Sequence, residues 1–422
     1  MIKLPILSFA LLLLLAGTAA AKSFELPPPN WPWRGMFVVG NNFPWRHSLP
    51  LTITGEARQD AIDRTLGGNE LTPDDIAHLA KLGVNSVALS TSVRQSLAVA
   101  NGATRKTSPL HNITLDQALA IKMGWLDKIL DACKENGVVA ILTDSQFPMD
   151  PKLGLTQVSP EYWSNPALQA DTVKRIGEFA QHFSTRGNEL GAYDFLTEPL
   201  VNGITPTDAI LFNGKSVPSG TKLFGTPSQW PALQEAIIKE IRKYDQKHYI
   251  MIKPGYGGEP SAYTGFKAPD HSGLIYSAHM YDPHYFTHNG VYTPLIQNNY
   301  PSDSDKNLTK TGLENFLKPI FEWTEANHAY AYIGEFSSVR WSKGGDQYVA
   351  DLINIFDEHN ASWEYCSPGG WNGWDPSYNE VFQSDAVHGN DIKYWIGMEA
   401  PRWKILIDAF KKNMRNQGNL HD

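Results

Sequence analysis

The sequence predicts an α/β fold, a single (β/α)8 TIM barrel. Three observations carry that expectation. Short β-like runs alternate with helix-like stretches along the chain, and eight such pairs fit within its 422 residues. The composition, 42% hydrophobic and only 19% charged, supports one large core. No phosphate-cradling glycine turn follows the first run, where Val39-Gly40-Asn41-Asn42 stands, and this disfavours a doubly wound sheet.

Gly35–Gly40 (GMFVVG) reads as the first strand. Thr72-Pro73-Asp74-Asp75 starts a helix, with Thr as cap, Pro at the first position and acidic residues in the first turn. That helix stops near Gly83, and Val84–Leu89 is the second strand. Leu115–Asn136 has helical spacing and stops at Gly137, before the third strand, Val138–Thr143. Pro160–Phe183 is a helix and Tyr193–Leu196 the fourth strand. Trp230–His248 is helical, Tyr249–Lys253 the fifth strand and Leu274–His279 the sixth. Leu313–Asn327 is helical, and Tyr330–Gly334 is the seventh strand. Gln347–His359 precedes the eighth, Ala361–Tyr365, and Pro401–Asn413 closes the chain. The Gly/Pro/Asn-rich loops Tyr256–His271 and Asn289–Asn307 are expected to wall a groove.

Residues 1–21 read as a signal peptide. Lys3 precedes an apolar run from Leu4 to Ala16, and Ala19-Ala20-Ala21 supplies small residues for cleavage. Export to the periplasm or the medium is expected, with residues 22–422 forming the barrel. Downstream there is no stretch apolar enough for a membrane anchor. A net charge of −8 without a basic stripe argues against a nucleic-acid partner. A monomer is expected. Cys133 and Cys366 would lie at opposite rims, too far apart for a disulfide.

The chemistry-bearing candidates are Glu198 in AYDFLTEP and Glu335 in AYAYIGEF, each just past a β-like run. Paired carboxyl groups at strand ends suit glycosidic hydrolysis with retention, in which one is the acid and the other the nucleophile. The 13 tryptophans include several in loop contexts, where flat rings suit sugar faces. Trp31, Trp33 and Trp45 fit either a groove wall or the barrel floor. Asp144 and Gln146 follow the third strand, where side chains reach either sugar or solvent.

Thr197-Glu198-Pro199, Gly334-Glu335-Phe336, His279-Met280-Tyr281 and the ending SWEYCSPGGWNGW together resemble glycoside hydrolase family 5. The likeness covers essentially the whole chain after residue 21. It implies that Glu198 is the acid/base and Glu335 the nucleophile. It places His279 near the acid/base and the sugar, and Tyr281 on the nucleophile's oxygen. Three positions depart from the family pattern. Thr197 replaces an Asn that contacts the sugar 2-hydroxyl. Ala88 stands near the place of a strand-two Arg, for which Arg94 is a nearby substitute. Cys366 aligns with a strand-eight Trp, for which Trp371 or Trp374 could supply a platform.

The resulting expectation is a glycosidase of β-linked glucan or mannan, needing no cofactor. The alternatives are a glycosidase of a glycoconjugate or short oligosaccharide, and a catalytically weakened sugar-binding barrel. A metal centre at His279, His284 and His288 beside Asp282 is not expected, because HMYDPHYFTH lacks helical ligand spacing.

Overall fold

The computed structural model describes residues 28–38, 44, 71–91, 114–144, 160–199, 210–212, 215–217, 229–291, 295–381 and 394–418. Residues 1–21, Trp45, Arg94 and Gln146 lie outside the described residues, as does the side chain of Asp144.

Eight parallel strands close into a barrel: β1 (Arg34–Val38), β2 (Ser86–Ser90), β3 (Val139–Asp144), β4 (Leu190–Phe195), β5 (Tyr249–Ile252), β6 (Leu274–Met280), β7 (Ala331–Phe336) and β8 (Ser362–Cys366). Each pairs with its neighbours in sequence, and β8 returns to β1. The helices are α1 (Pro73–Lys81), α2 (Leu115–Asn136), α3 (Pro160–Trp163), α4 (Pro166–Phe183), α5 (Trp230–Tyr244), α6 (His284–Thr287), α7 (Lys310–Ala326), α8 (Gly345–Glu358) and α9 (Pro401–Gly418). The expected helix 160–183 is split at Ser164–Asn165. Asn165 caps α4 by accepting from the amides of Ala167 and Leu168, with Pro166 in the first turn. A short hairpin, Ile210–Phe212 with Lys215–Val217, is an addition that the sequence reading lacks.

Local chemistry sets the helix ends. Thr72 and Thr114 each form a reciprocal capping box, with Asp75 and Gln117. Gly137 ends α2 in the left-handed region at φ 66°.

Alternation along the strands makes two cores. Val87, Leu89, Ala140, Leu142, Tyr193, Ile250, Ile333, Trp363 and their neighbours face the helices. Trp33, Phe37, Ala88, Val139, Ile141, Tyr249, Met251, Ile275, Tyr332 and Cys366 fill the barrel. Trp33 closes the floor: its amide donates to Ser362 Oγ at 2.6 Å, and Trp31 packs on its ring at 5.2 Å between centroids. Gly191 leaves the space, since a Cβ there would lie 2.8 Å from that ring. Trp31 and Trp33 are therefore floor residues, not groove residues. Cys133 and Cys366 are both buried free thiols, one in the outer core and one inside the barrel.

Candidate active site

Glu335 faces the mouth of the barrel because β7 carries one extra residue. Strict alternation from inward Tyr332 would send Glu335 toward the helices. The pairing with β6 slips between Ala278 and His279, so that His279 stands opposite Glu335. The pairing with β8 slips between Trp363 and Tyr365. This bulge turns Glu335 into the cleft while Phe336 packs outward against Phe356 and Trp363. Gly334 makes it possible: a Cβ there would sit 3.2 Å from His279 Nε2 and 3.0 Å from the Tyr332 ring. Glu335 thus lies within β7, not one step beyond it.

Glu198 lies three residues past the end of β4. Leu196 takes a left-handed conformation at φ 58°, which a non-glycine residue adopts only at a cost of about 1–2 kcal/mol. The turn is held by Thr197 Oγ1, which donates to the Asp194 carbonyl at 2.9 Å. The Gly257 amide fastens the exit by donating to the Pro199 carbonyl at 3.2 Å. Leu196 is buried in the outer core, so packing sustains the turn.

The two carboxyl groups converge. His279 Nδ1 donates to Glu198 Oε1 at 2.8 Å and lies 3.8 Å from Glu335 Oε1. Tyr281 Oη donates to Glu335 Oε2 at 2.9 Å. One ligand atom each from Glu198, His279 and Glu335 falls within 4.8 Å of the others. Their environments differ: the Glu198 side chain is 36% exposed and that of Glu335 only 11%. Burial pushes Glu335 up to about 7; the facing charge of His279, the Tyr281 hydroxyl and Lys253 pull it down, and the charge of Glu198 pushes it up. Burial pulls His279 down, but Glu335 and Glu198 overcome it and leave His279 raised. Glu335 is the deeper of the two carboxyl groups.

The Trp374 ring stacks on that of Tyr281 at 5.0 Å and 22°, and its indole N–H donates to the Thr287 carbonyl at 3.3 Å. It also packs against the inner core that contains Cys366. Trp371 meets Trp374 edge-on at 5.2 Å and is 39% exposed. It folds back over Gly373, where a Cβ would lie 2.5 Å from its ring. The Cys366 thiol touches the Tyr281 hydroxyl. Of the two candidate platforms, Trp374 flanks Tyr281 and Trp371 faces solvent beside it.

Thr197 does not present its hydroxyl to the cleft. Its Oγ1 shares a hydrogen bond with Thr143 Oγ1 at 2.7 Å. His284 stacks on His288 at 5.0 Å and faces Asp282 at 3.5 Å, while burial pushes His288 down to about 3 and keeps it neutral. Among the described residues, the group with metal-ligand spacing is Glu198, His279 and Glu335, the same three side chains as the carboxyl pair. Asp194 and Lys253, buried beneath them, were missed as site residues. Their signal was a charge inside an apolar strand run, in AYDFL and YIMIK.

A family model described as cellulase (glycosyl hydrolase family 5) matches residues 54–375. Endoglucanase H of Acetivibrio thermocellus is 30% identical over 117 residues, 28% of this chain and 12% of that protein. Endoglucanase C of the same organism is 24% identical over 173 residues, 33% of this chain and 49% of that protein. The chain thus spans at most about half the length of these relatives. Among solved structures, Thermotoga maritima Cel5A with mannotriose superposes with a TM-score of 0.57 at 17% identity, covering 91% of this chain and 98% of that one. The cellulose synthase subunit Z of Clostridioides difficile superposes with a TM-score of 0.54 at 16% identity, covering 81% and 92%. At these identities the superpositions speak for the fold.

Proposed function

The chain belongs to glycosyl hydrolase family 5, and from that premise we propose that it is a retaining β-glycosidase acting on a β-linked glucan or mannan. One observation supports this above the others. Oxygens of Glu198 and Glu335 lie within 4.8 Å across the mouth of the barrel, close to the separation of about 5–5.5 Å that suits a covalent intermediate.

In this reading Glu335 attacks the anomeric carbon as Glu198 gives its proton to the leaving glycosidic oxygen. A glycosyl ester forms on Glu335 and the aglycone departs as an alcohol. Glu198, now ionised, takes a proton from water. The water oxygen displaces Glu335 and restores both carboxyl groups. A proton held on Glu198 removes its repulsion of Glu335, and Tyr281 and His279 then favour the ionised nucleophile. The test is turnover of E335Q on a panel of aryl β-glycosides, carboxymethyl cellulose and glucomannan, with NMR of the first-formed anomer. Turnover abolished by the substitution and a β-anomer product support the reading. Unchanged turnover, or an α-anomer product, overturns it.

The second reading is a glycosidase of short oligosaccharides or glycoconjugates. It is favoured by Thr197, whose hydroxyl is engaged with Thr143 and Asp194 and is withdrawn from the sugar. Release from oligomers but not polymer would select it. Binding without release of reducing ends would instead indicate a sugar-binding barrel. We also propose export as a monomer through residues 1–21, checked by the N-terminal sequence and the size of the mature protein.

A further inference from the structure

Directly beneath the two carboxyl groups lies an ion pair that hydrolysis by two glutamates does not require. Lys253 follows β5, and its side chain is 1% exposed. Its ammonium donates to Asp194 Oδ1 at 2.5 Å. Its carbonyl accepts from Trp230 Nε1 at 2.7 Å and Gln234 Nε2 at 3.0 Å, so α5 fixes the backbone from which the side chain projects. Its stem runs beside the His279 ring: Lys253 Cδ and His279 Cγ lie 3.4 and 3.7 Å from one point above Gly258.

From Asp194 the contacts lead back to the acid/base. Thr143 Oγ1 lies 3.4 Å from Asp194 Oδ2 and meets Thr197 Oγ1 at 2.7 Å, and Thr197 directly precedes Glu198. A polar chain therefore joins β5, β4 and β3 below the strained turn at Leu196. Replacing a buried ion pair by apolar residues is often neutral or stabilising. Stability alone is thus a weak reason for this one.

We propose that Lys253 and Asp194 form a positioning pair, which orients Glu198 through Thr143 and Thr197 and directs one fixed positive charge at the floor of the cleft. The proposal rests on the reading of Glu198 as acid/base and Glu335 as nucleophile. The titratable groups around Lys253 are Asp194 on β4, Glu198 beyond it, His279 on β6 and Glu335 on β7. The hydroxyls of Tyr263 and Tyr332 also sense Asp194. The charge of Lys253 lowers both His279 and Glu335, which favours the ionised nucleophile.

The wild type and E335Q are assayed first. Turnover that E335Q abolishes keeps the functional reading in place, whatever the pair then does. K253M/D194L removes both charges and leaves no buried ion unpartnered. It is expected to melt within a few degrees of wild type. Its kcat should fall about thirtyfold with KM changed less than about threefold, and the acidic limb of kcat/KM should move to higher pH. Wild-type kcat and an unmoved limb in the folded double variant overturn the proposal. T143V breaks the chain without removing a charge and covers the case of a double variant that fails to fold. It should lower kcat several-fold with the acidic limb in place, and wild-type kcat in T143V overturns the positioning route.

Discussion

Glu335 and Glu364 are buried carboxyls on neighbouring strands of one barrel, and their surroundings differ. Glu335 stands at the mouth with the Tyr281 hydroxyl on one oxygen and His279 near the other. Glu364 stands deeper, with its side chain beside Gly35 of β1 and Ser86 of β2. There a Cβ on Gly35 would lie 2.6 Å from its Oε2 and 2.5 Å from Ser86 Oγ. Burial pushes Glu335 to about 7 against the pull of His279, Tyr281 and Lys253. It pushes Glu364 to about 8 with only the Ser86 hydroxyl opposing it. Burial alone makes a carboxyl that stays protonated. Donors and cations arranged around it make one that can ionise in neutral water.

The comparison breaks most directly at Glu335. E335Q should lower kcat on an aryl β-glycoside by on the order of 10^4-fold, while E364Q should leave it within about twofold. Comparable losses in both would erase the distinction. Y281F tests the arrangement around Glu335. A hydrogen bond to a charged group is worth about 1.5–3 kcal/mol, so kcat should drop by up to about a hundredfold. Without that donor Glu335 holds its proton more tightly, and the acidic limb of the pH–rate profile should shift upward; a limb that stays put would separate Tyr281 from the ionisation.

Glu364 is sharpened by stability. Its folded value, about 8, lies above the ordinary 4.5. The folded and unfolded states are alike below about pH 4.5. As pH rises toward about 8 the unfolded chain ionises first, and stability is lost across that window. E364Q should remove this loss, by about 3–4 kcal/mol at pH 8 relative to pH 5, read from urea melts. Parallel pH profiles for wild type and E364Q would show that Glu364 is not protonated in the fold. The smallest effect is expected at the half-exposed ring of Trp371. W371A should raise KM for a long oligosaccharide by about fivefold and change kcat less, measured by initial rates. An equal change in kcat would place that ring at the reacting bond.

Much of the barrel was legible because each element announces itself locally. Thr72, Thr114 and Gly137 mark helix ends by hydrogen-bonding chemistry, and α2 runs over the expected residues. Glu198 and Glu335 were legible as candidates because each follows or ends an apolar strand run, and His279 and Tyr281 through the resemblance of His279-Met280-Tyr281 to the family pattern. The bulge in β7 and the left-handed Leu196 were not. Both are settled by how strands register against neighbours far away in sequence. The Lys253–Asp194 contact depends on how β4 registers against β5, since its residues are 59 positions apart. The break between α3 and α4 is written in Asn165-Pro166, a cap followed by a proline, although the apolar spacing runs on through it. Trp33 fell to the floor because its ring fills the space that Gly191 leaves open.

The extra residue in β7 has a bearing on how such chains diverge. Glu335 and Phe336 are adjacent, yet one faces the cleft and the other the helical shell. Gaining one residue beside 334 would swap their directions, turning the ring into the cleft and the carboxyl into oil. Point substitutions can retune this cleft gradually, whereas a single-codon insertion here would dismantle it in one step and leave most of the sequence looking intact.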